Sequence, residues 1–308
     1  MDQQQDAKEF LEFLLDCLHE DLNIHWARSP LQALTAKQEE VRESMPKVIV
    51  ARREWERYQY RDKSFVSDLF AGQHASRLKC TTCNHTSTTY EAFYSVSVEI
   101  PRSGKGNISD CLRSFCAEER LSGDEVWKCP RCRTEREATK RIMFTRAPEY
   151  LVVHFKRFSA SHGESARKVC TPIDFPLRDF ELDQFMLPPV GVEEAQRIRN
   201  TYGLDALGGG DGGSSSSSSV LANGESFAPT EPSMTPPYRY DAYAVMRHVG
   251  TTLTSGHYIA LVRDAARGCW KQYNDHRVTD FQPEKLSSRD RLQNEQAYIV
   301  FFQRVRRA

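Results

Sequence analysis

Two pairs of cysteines constrain the fold of this chain more than any other feature of its sequence. They occur as Cys80-Thr-Thr-Cys83 and Cys129-Pro-Arg-Cys132. Two residues between thiolates allow one tight turn to present both sulfurs to one ion, and two such turns complete a tetrahedral sulfur site for zinc. A four-thiolate site has no position open to water, so the sequence predicts one structural zinc ion rather than a catalytic one. The alternative is four reduced core cysteines that share this spacing by coincidence.

The charge of the chain argues against nucleic acid as a partner. Lys plus Arg and Asp plus Glu both total 42, so no overall field attracts the molecule to a polyanion. A basic stretch around the second cysteine pair would suit a zinc ribbon that binds nucleic acid. No aromatic residues interleave with its charges to stack on bases, so a solvated surface is the preferred interpretation. The cations of this stretch are Lys128, Arg131, Arg133, Arg136, Lys140 and Arg141.

The hydrophobic pattern gives no indication of a membrane protein or a secreted one. No apolar run approaches the ~20 residues that cross a bilayer. The start of the sequence has neither the basic residues nor the apolar stretch of a secretory signal. We therefore expect a reducing compartment, the cytoplasm or the nucleus, and no disulfides. The chain is also expected to be a monomer.

The order of predicted elements indicates one α+β domain. Apolar residues recur at helical spacing over residues 6–22, and Cys17 on that apolar face is predicted to be a core residue. Residues 31–63 are mostly charged and are interpreted as a solvated helix or a partly ordered connection. Residues 203–237 contain 7 Gly, 8 Ser and 4 Pro, and we expect a disordered insertion within the domain. Strand-like residues, joined by short turns that favour antiparallel pairing, cover 88–100, 150–158, 240–249, 257–263, 269–275 and 297–303.

A histidine in one of the predicted hairpins is a candidate general base. If the turn between the strands centres on residue 266, His257 faces the Asn274-Asp275 pair. A neighbour that accepts a hydrogen bond from one ring nitrogen fixes the tautomer and leaves the other nitrogen able to take a proton from a nucleophile. The sequence leaves Asn274 and Asp275 open as that neighbour. A surface histidine is the alternative, although Gly256 indicates close approach of another backbone.

Several stretches taken together resemble the ubiquitin-specific protease family of papain-like cysteine deubiquitinases. Residues 4–11 resemble its glutamine-aspartate box, and the paired knuckles and residues 154–158 (HFKRF) follow in the family's order. Residues 255–260, 273–275 and 297–302 resemble its histidine box and closing strand. The resemblance implies a papain-like cysteine protease fold shaped as a hand, with a helical thumb remnant in 1–65 and zinc-tipped fingers and palm in 66–158. The antiparallel palm sheet with its histidine box would occupy 159–202 and 238–308.

The resemblance also implies the roles of individual residues. His257 would be the general base, Asn274 the residue that orients it, and Asp275 an assisting polar neighbour. Asp6 and Glu9 would face the arginine-rich tail of ubiquitin, and His248 and Tyr258 would line the channel for its terminal glycines. Charge-assisted pairing with guanidinium groups gives the two acids a physical basis, whereas simple placement of negative charge at a helix start explains them equally well.

The family's nucleophilic cysteine has no counterpart in this sequence. In the family it precedes the glutamine-aspartate box, and this chain begins three residues before that box. We therefore expect the larger, carboxy-terminal part of a deubiquitinase catalytic domain, whose parent enzyme hydrolyses the bond after the last glycine of ubiquitin. The chain alone is expected to be inactive. The alternative from another functional class is a non-catalytic module that binds ubiquitin and ubiquitinated proteins.

Overall fold

The computed structural model describes residues 6–101, 104–159, 167–202, 232–252, 255–282 and 292–305. Helices and antiparallel sheets are mixed within this part of the chain, as the sequence predicts. No helix in the described ranges is long and apolar enough to cross a membrane. The helices are α1 (Ala7–Leu22), α2 (Ala36–Ser44), α3 (Lys47–Gln59), α4 (Phe65–Phe70), α5 (Ile108–Phe115) and α6 (Val192–Tyr202).

The strands fall into two main sheets and several two-stranded pairs. In chain order they are β1 (Gly72–Cys80), β2 (Thr86–Phe93), β3 (Val96–Val98), β4 (Gly106–Asn107), β5 (Glu119–Leu121), β6 (Trp127–Cys129), β7 (Thr134–Arg136), β8 (Ala138–Arg146), β9 (Tyr150–Phe155), β10 (Phe158–Ser159), β11 (Arg167–Lys168), β12 (Ile173–Asp174), β13 (Phe180–Glu181), β14 (Arg239–Thr252), β15 (Ser255–Asp264), β16 (Cys269–Asn274), β17 (Arg277–Phe281) and β18 (Ala297–Arg304).

The smaller main sheet is an antiparallel ribbon that carries the cysteine pairs at one end. Its strand order is β2-β1-β8-β5. The first knuckle is the turn between β1 and β2, and the second is the turn of the separate β6-β7 hairpin. The backbone N–H of Thr81 donates to the carbonyl of Glu137, 3.1 Å away, and Cys80 pairs with Ala138 of β8. These contacts bring the two knuckles to the same tip.

The larger sheet forms the centre of the molecule. Its order is β17-β16-β15-β14-β18-β9-β3, and β13 also pairs with β14. All its pairs are antiparallel except β3 with β9. One face carries the main apolar core, to which α5 contributes Ile108 and Leu112. The other face carries Val152, Tyr298 and Ile299, against which the start of α1 packs. Helix α1 therefore lies on the sheet face opposite the main core.

The apolar residues that predict α1 do not form its buried side. Residues Leu15 and His19 are buried, and Leu11 packs on the larger sheet. The predicted apolar face is exposed instead, and Cys17 on that face is half-buried rather than a core residue. The exposed side chains of this face are Phe10, Phe13, Leu14, Leu18 and Leu22. The prediction was wrong about burial because one helix can carry an apolar stripe without a partner in the described chain.

Residues 31–63 are more ordered than the sequence suggests. They form α2 and α3, and α3 buries Val48–Ala51 and Trp55. Thr35 and Gln38 form a capping box at the start of α2, in which each side chain accepts a hydrogen bond from the backbone N–H of the other residue. This capping box stabilises a helix that buries no residue. Residues 88–100 are also not one strand, because the chain leaves the smaller sheet after Phe93 and joins the larger one at Val96.

The predicted disordered insertion is too long at its carboxy-terminal end. Residues 203–231 lie outside the described part of the chain. Pro232–Met234 form a 3-10 turn, Met234 is buried, and the Ala147 N–H donates to the Ser233 carbonyl at 2.8 Å. The segment before the insertion ends in α6, whose Ala195 and Ile198 bury one helical face against α3. These short apolar pairs are too few to predict from periodicity alone.

Candidate active site and four-cysteine cluster

The β15-β16 hairpin brings His257 and Asn274 into contact. The His257 Nε2 atom lies 2.6 Å from the Asn274 Oδ1 atom. The strands pair Ala260 with Tyr273, one residue away from the expected register. The difference arises in the loop, where four residues separate the paired Asp264 and Cys269, so the hairpin centres between residues 266 and 267. The side chain of Asn274 nevertheless reaches the imidazole because it lies at the end of the paired region.

This hydrogen bond fixes the tautomer of the histidine. An amide oxygen can only accept, so Nε2 of His257 carries the hydrogen and Nδ1 of the neutral ring is left with its lone pair. The Asp275 carboxylate is 3.7 Å from the same Nε2 and is mostly exposed. Asp275 has a φ of 50°, a left-handed conformation that Asp tolerates at a turn. Of the two neighbours left open by the sequence, Asn274 is the hydrogen-bond partner.

No cysteine thiol is a hydrogen-bond partner of His257 in the described residues, which include all nine cysteines. Cys269 is on the same hairpin but at its opposite end. Strand β16 separates it from Asn274 by five residues. At about 3.3 Å per residue this is roughly 17 Å, far beyond proton-transfer distance. The imidazole therefore has an orienting partner within the chain but no nucleophile.

Asp6 caps α1 and links this helix to the larger sheet. Its Oδ1 accepts hydrogen bonds from the N–H groups of Lys8 at 2.7 Å and Glu9 at 3.1 Å. Its Oδ2 accepts a hydrogen bond from the Tyr298 hydroxyl. Burial and this carboxylate raise the pKa of Tyr298. The Tyr258 hydroxyl accepts a 3.4 Å bond from the Ala7 N–H. Asp6 thus has the capping role that its position at the helix start suggests.

Glu9 differs from Asp6 in that its side chain is exposed on the first turn of α1. The structure places both acids at the start of the helix, close to Tyr258 and Tyr298, whose pKa values both carboxylates raise in addition to the larger effect of burial. An anionic rim therefore borders the aromatic side chains of β15 and β18.

His248 is completely buried in an aromatic cluster. Its ring meets those of Phe158 and Tyr258 edge-on, with centroids 5.1 and 5.0 Å away. Neither ring nitrogen has a hydrogen-bond partner within the described chain, and burial, followed by the nearby Lys168 ammonium, lowers its pKa to about 4. A Cβ at Gly256 would be 2.4 Å from His248 Nε2. The Val249 carbonyl oxygen would be 2.8 Å from the same Cβ. Both the His248 ring and the backbone therefore exclude any side chain larger than hydrogen at position 256.

His154 and Tyr298 belong to the same cluster and were not assigned a role from the sequence, although both stand in motifs that carry the resemblance. Their rings meet edge-on with centroids 4.7 Å apart, and His154 Nδ1 is 3.0 Å from the Ser97 hydroxyl. Burial lowers the pKa of His154 to about 4. The remaining residues of β9 are apolar and mostly buried. A histidine among them was therefore the one feature of the sequence that could have pointed to a special environment at His154. Strand periodicity alone does not indicate that Tyr298 would meet it across the sheet.

The four cysteines of the paired knuckles converge at the tip of the smaller sheet. Their sulfur atoms all lie within 4.8 Å of one another. The Cys80–Cys132 and Cys83–Cys129 sulfur separations are 4.0 and 3.6 Å. A tetrahedral zinc site with bonds of about 2.3 Å has sulfur–sulfur edges of about 3.8 Å, whereas a disulfide would be about 2.05 Å. The observed spacing fits four thiolates around one metal ion.

The backbone of both knuckles supports this interpretation. The residue after each pair, Asn84 or Arg133, has a φ of 57°. Asn84 donates its N–H to the Cys80 carbonyl at 3.1 Å, and Arg133 donates to the Cys129 carbonyl at 2.8 Å. Two unrelated stretches thus form the same turn around the same centre. Backbone N–H groups of Cys83 and Thr82 lower the pKa of the Cys80 thiol, which favours the thiolate that binds metal.

The amino-acid sequence of the chain matches a known protein family. The family model described as ubiquitin carboxyl-terminal hydrolase matches residues 1–302. Ubiquitin carboxyl-terminal hydrolase 4 of Saccharomyces cerevisiae (strain YJM789) is 36% identical over 307 residues, which are 98% of this chain and 29% of that protein. Ubiquitin carboxyl-terminal hydrolase 2 of Gallus gallus is 33% identical over 302 residues, 97% of this chain and 68% of that protein.

Solved structures show the same fold. The SAGA Ubp8/Sgf11/Sus1/Sgf73 DUB module bound to ubiquitin aldehyde matches with a TM-score of 0.63 and 22% identity, over 99% of this chain and 50% of the matched chain. A SAGA DUB module bound to monoubiquitin matches with a TM-score of 0.62 and 21% identity, over 99% of this chain and 50% of the matched chain. This likeness confirms the predicted fold class, a mixed α+β fold with antiparallel sheets that these solved structures share. The chain belongs to the ubiquitin carboxyl-terminal hydrolase family, and within it to the ubiquitin-specific proteases that its motifs resemble.

Proposed function

We propose that this chain is the larger part of a deubiquitinase catalytic domain that hydrolyses the bond after the carboxy-terminal glycine of ubiquitin. The observation that carries the proposal is the 2.6 Å contact between His257 Nε2 and Asn274 Oδ1. A carboxamide in this position stabilises the tautomer in which Nδ1 can accept a proton, as a thiol protease requires. Membership of the hydrolase family supports the reaction type.

In the proposed reaction a cysteine from polypeptide outside residues 1–308 is the nucleophile. His257 Nδ1 takes the thiol proton, and the thiolate attacks the carbonyl carbon of the terminal glycine. The C–N bond breaks as the imidazolium returns a proton to the leaving amine, and a thioester remains. Water, deprotonated by His257, then hydrolyses the thioester and releases ubiquitin. Asn274 holds the imidazole throughout, and Asp275 stabilises the imidazolium from 3.7 Å.

The exposed face of α1 supports an external source for the thiol. Five large apolar side chains on one helix are costly to leave in water, and such a patch marks a surface that another segment covers. Because α1 starts beside Tyr258 on β15, the strand that carries His257, a segment packed on α1 would lie close to the candidate base. The chain by itself is accordingly proposed to have no peptidase activity.

The remaining predicted residues are proposed to bind ubiquitin and metal. Asp6 and Glu9 would pair with the basic tail, and Tyr258 would line the channel for its glycines. His248, predicted from the sequence to line the channel as well, is buried behind Tyr258 and would support that wall instead. The carboxylates of Asp6 and Glu9 at the start of α1 support the first assignment, because carboxylates form charge-assisted hydrogen bonds with arginine guanidinium groups. Cys80, Cys83, Cys129 and Cys132 would hold one zinc ion, whose chemistry is structural because all four of its positions are filled by thiolates.

The decisive experiment compares residues 1–308 with the full-length polypeptide on a ubiquitin–fluorophore conjugate. We expect no turnover by 1–308 and thiol-dependent turnover by the full-length protein. His257→Ala should lower kcat/KM about 10³-fold or more, and Asn274→Ala should lower it less, because it loosens the base without removing it. His276→Ala changes an exposed neighbouring histidine and should leave the rate unaltered. Turnover that survives in the His257→Ala protein would contradict the proposed mechanism.

A ubiquitin-binding module without catalysis is the second candidate function, because no described cysteine contacts His257. Titration of ubiquitin into residues 1–308 separates the two. Binding together with an inactive full-length protein would favour the module, and binding together with thiol-dependent turnover would favour the enzyme. For either function we propose a monomer in the cytoplasm or nucleus, with neither nucleic acid nor a membrane as partner.

A further inference from the structure

A groove with an excess of positive charge lies on one face of the smaller main sheet, away from His257. Its volume is about 110 Å³, enough for several water molecules. It is lined by every second residue of the neighbouring strands β2, β1 and β8. Lys47, at the start of α3, closes one side. Arg77 of β1 pairs directly with Arg141 of β8 and, on its other side, with Thr88 of β2. The two guanidinium groups therefore share a face of the sheet.

The charges around this groove are not balanced within the protein. Its lining contains four cations, Lys47, Arg77, Lys79 and Arg141, and a single carboxylate, Glu118. The salt bridges found among the described residues include none of these four cations. Like charges directly opposite each other on neighbouring strands destabilise a sheet, so the Arg77–Arg141 pair costs stability unless an anion lies between them.

The field at Lys47 shows that nearby acids do not neutralise the groove. The pKa of the Lys47 ammonium is lowered first by partial burial, then by Arg77 and Arg141. Glu43 acts in the opposite direction but more weakly than either arginine. The carboxylate of Glu43 is occupied by hydrogen bonds from the Thr88 N–H at 2.6 Å and the Thr86 hydroxyl at 3.0 Å. A positive potential therefore remains in the groove.

We infer that this groove binds a tetrahedral oxyanion of the phosphate class, held between the guanidinium groups of Arg77 and Arg141 and the ammonium group of Lys47. Guanidinium groups match the oxygen pairs of phosphate, and three converging monocations favour a dianion over chloride. The hydroxyls of Tyr90 and Thr139 line the same groove and can donate further hydrogen bonds. A bound anion would connect α3 to β1 and β8. The inference concerns a surface that the proposed reaction does not use.

Titration with inorganic phosphate at constant ionic strength, maintained with KCl, tests this inference. We expect saturable shifts of the backbone amide resonances near residues 47, 77 and 141. Hydrogen exchange in the first turn of α3 should slow as the site fills. The double variant Arg77→Gln/Arg141→Gln should bind phosphate at least about tenfold more weakly, because two charge-assisted contacts are lost. In the absence of phosphate, Arg141→Gln alone should raise Tm, because it removes like-charge repulsion.

The matched control is Arg113→Gln/Arg267→Gln, which removes the same charge at two exposed arginines outside the groove. It should bind phosphate as the parent protein does. Equal responses to phosphate and to KCl would overturn the inference, since they would reflect ionic strength alone. So would unchanged phosphate affinity in the Arg77→Gln/Arg141→Gln variant, or equal losses in both double variants.

Discussion

At the scale of single residues, the buried histidines show how tertiary contacts set chemistry that composition cannot predict. His154 and His248 have the same side chain as His257, yet the first two lie in an aromatic cluster and the third is at the surface end of a hairpin. The sequence predicts that His257 has a polar neighbour, because a hairpin register can be estimated from its turn. It does not predict which of Asn274 and Asp275 makes the hydrogen bond. The side-chain contact decides that, because the Asn274 carboxamide reaches Nε2 although the register differs by one residue from the expected one.

Acid should destabilise this protein partly through His154. Its pKa is lowered from 6.5 to about 4 in the folded protein, so the unfolded chain binds the proton first as the pH falls. The contribution to stability is complete above about pH 6.5 and is lost as the pH falls toward 4. For one histidine this amounts to about 2 kcal/mol between pH 7 and pH 5. Urea unfolding at the two pH values should show a loss smaller by that amount in His154→Gln. Exposed His276→Gln is the control, and an equal loss in both variants would refute the assignment.

At the scale of elements, Arg157 joins the end of β9 to β18 and to neighbouring loops. Its guanidinium group is fully buried and donates to the carbonyls of Ala297 at 2.5 Å, Val169 and Thr171 at 2.9 Å, and Asn294 at 3.2 Å. Burial lowers its pKa to about 10, so it remains charged at neutral pH. The sequence marks this arginine only through its motif, since charge normally indicates an exposed position.

Removal of this arginine should destabilise the larger sheet. In Arg157→Met the aliphatic volume is retained but the four carbonyls lose their donor, and we expect the free energy of unfolding to fall by about 3 kcal/mol. Denaturant unfolding measures the change, and Arg267→Met at the exposed hairpin turn is the control, expected to be neutral. A loss below about 0.5 kcal/mol in Arg157→Met would mean that water replaces the guanidinium group without cost.

At the scale of the whole molecule, the four-cysteine cluster is separate from the core of the larger sheet. It joins the β1-β2 turn to the β6-β7 hairpin. Strands β6 and β7 are three residues long and have few buried residues. We therefore expect one zinc ion per chain, and a strong chelator should accelerate hydrogen exchange at this tip while the larger sheet stays protected. Cys132→Ser should lose the metal, and Cys170→Ser, at an exposed cysteine outside the cluster, should retain it. Stoichiometric zinc in Cys132→Ser would contradict the assignment.

The sequence by itself determined the local features of this protein: the cysteine knuckles, the hairpin of His257, most strands and the family to which the chain belongs. Each depends on residues that are near one another in sequence, where spacing and turn chemistry are sufficient. Only the tertiary structure decided that the apolar face of α1 is exposed, that α3 is buried, and that Asp6, His154, His248 and Tyr298 meet at one end of the sheet. Those outcomes depend on which surfaces pack together, and packing joins residues that no sequence period relates.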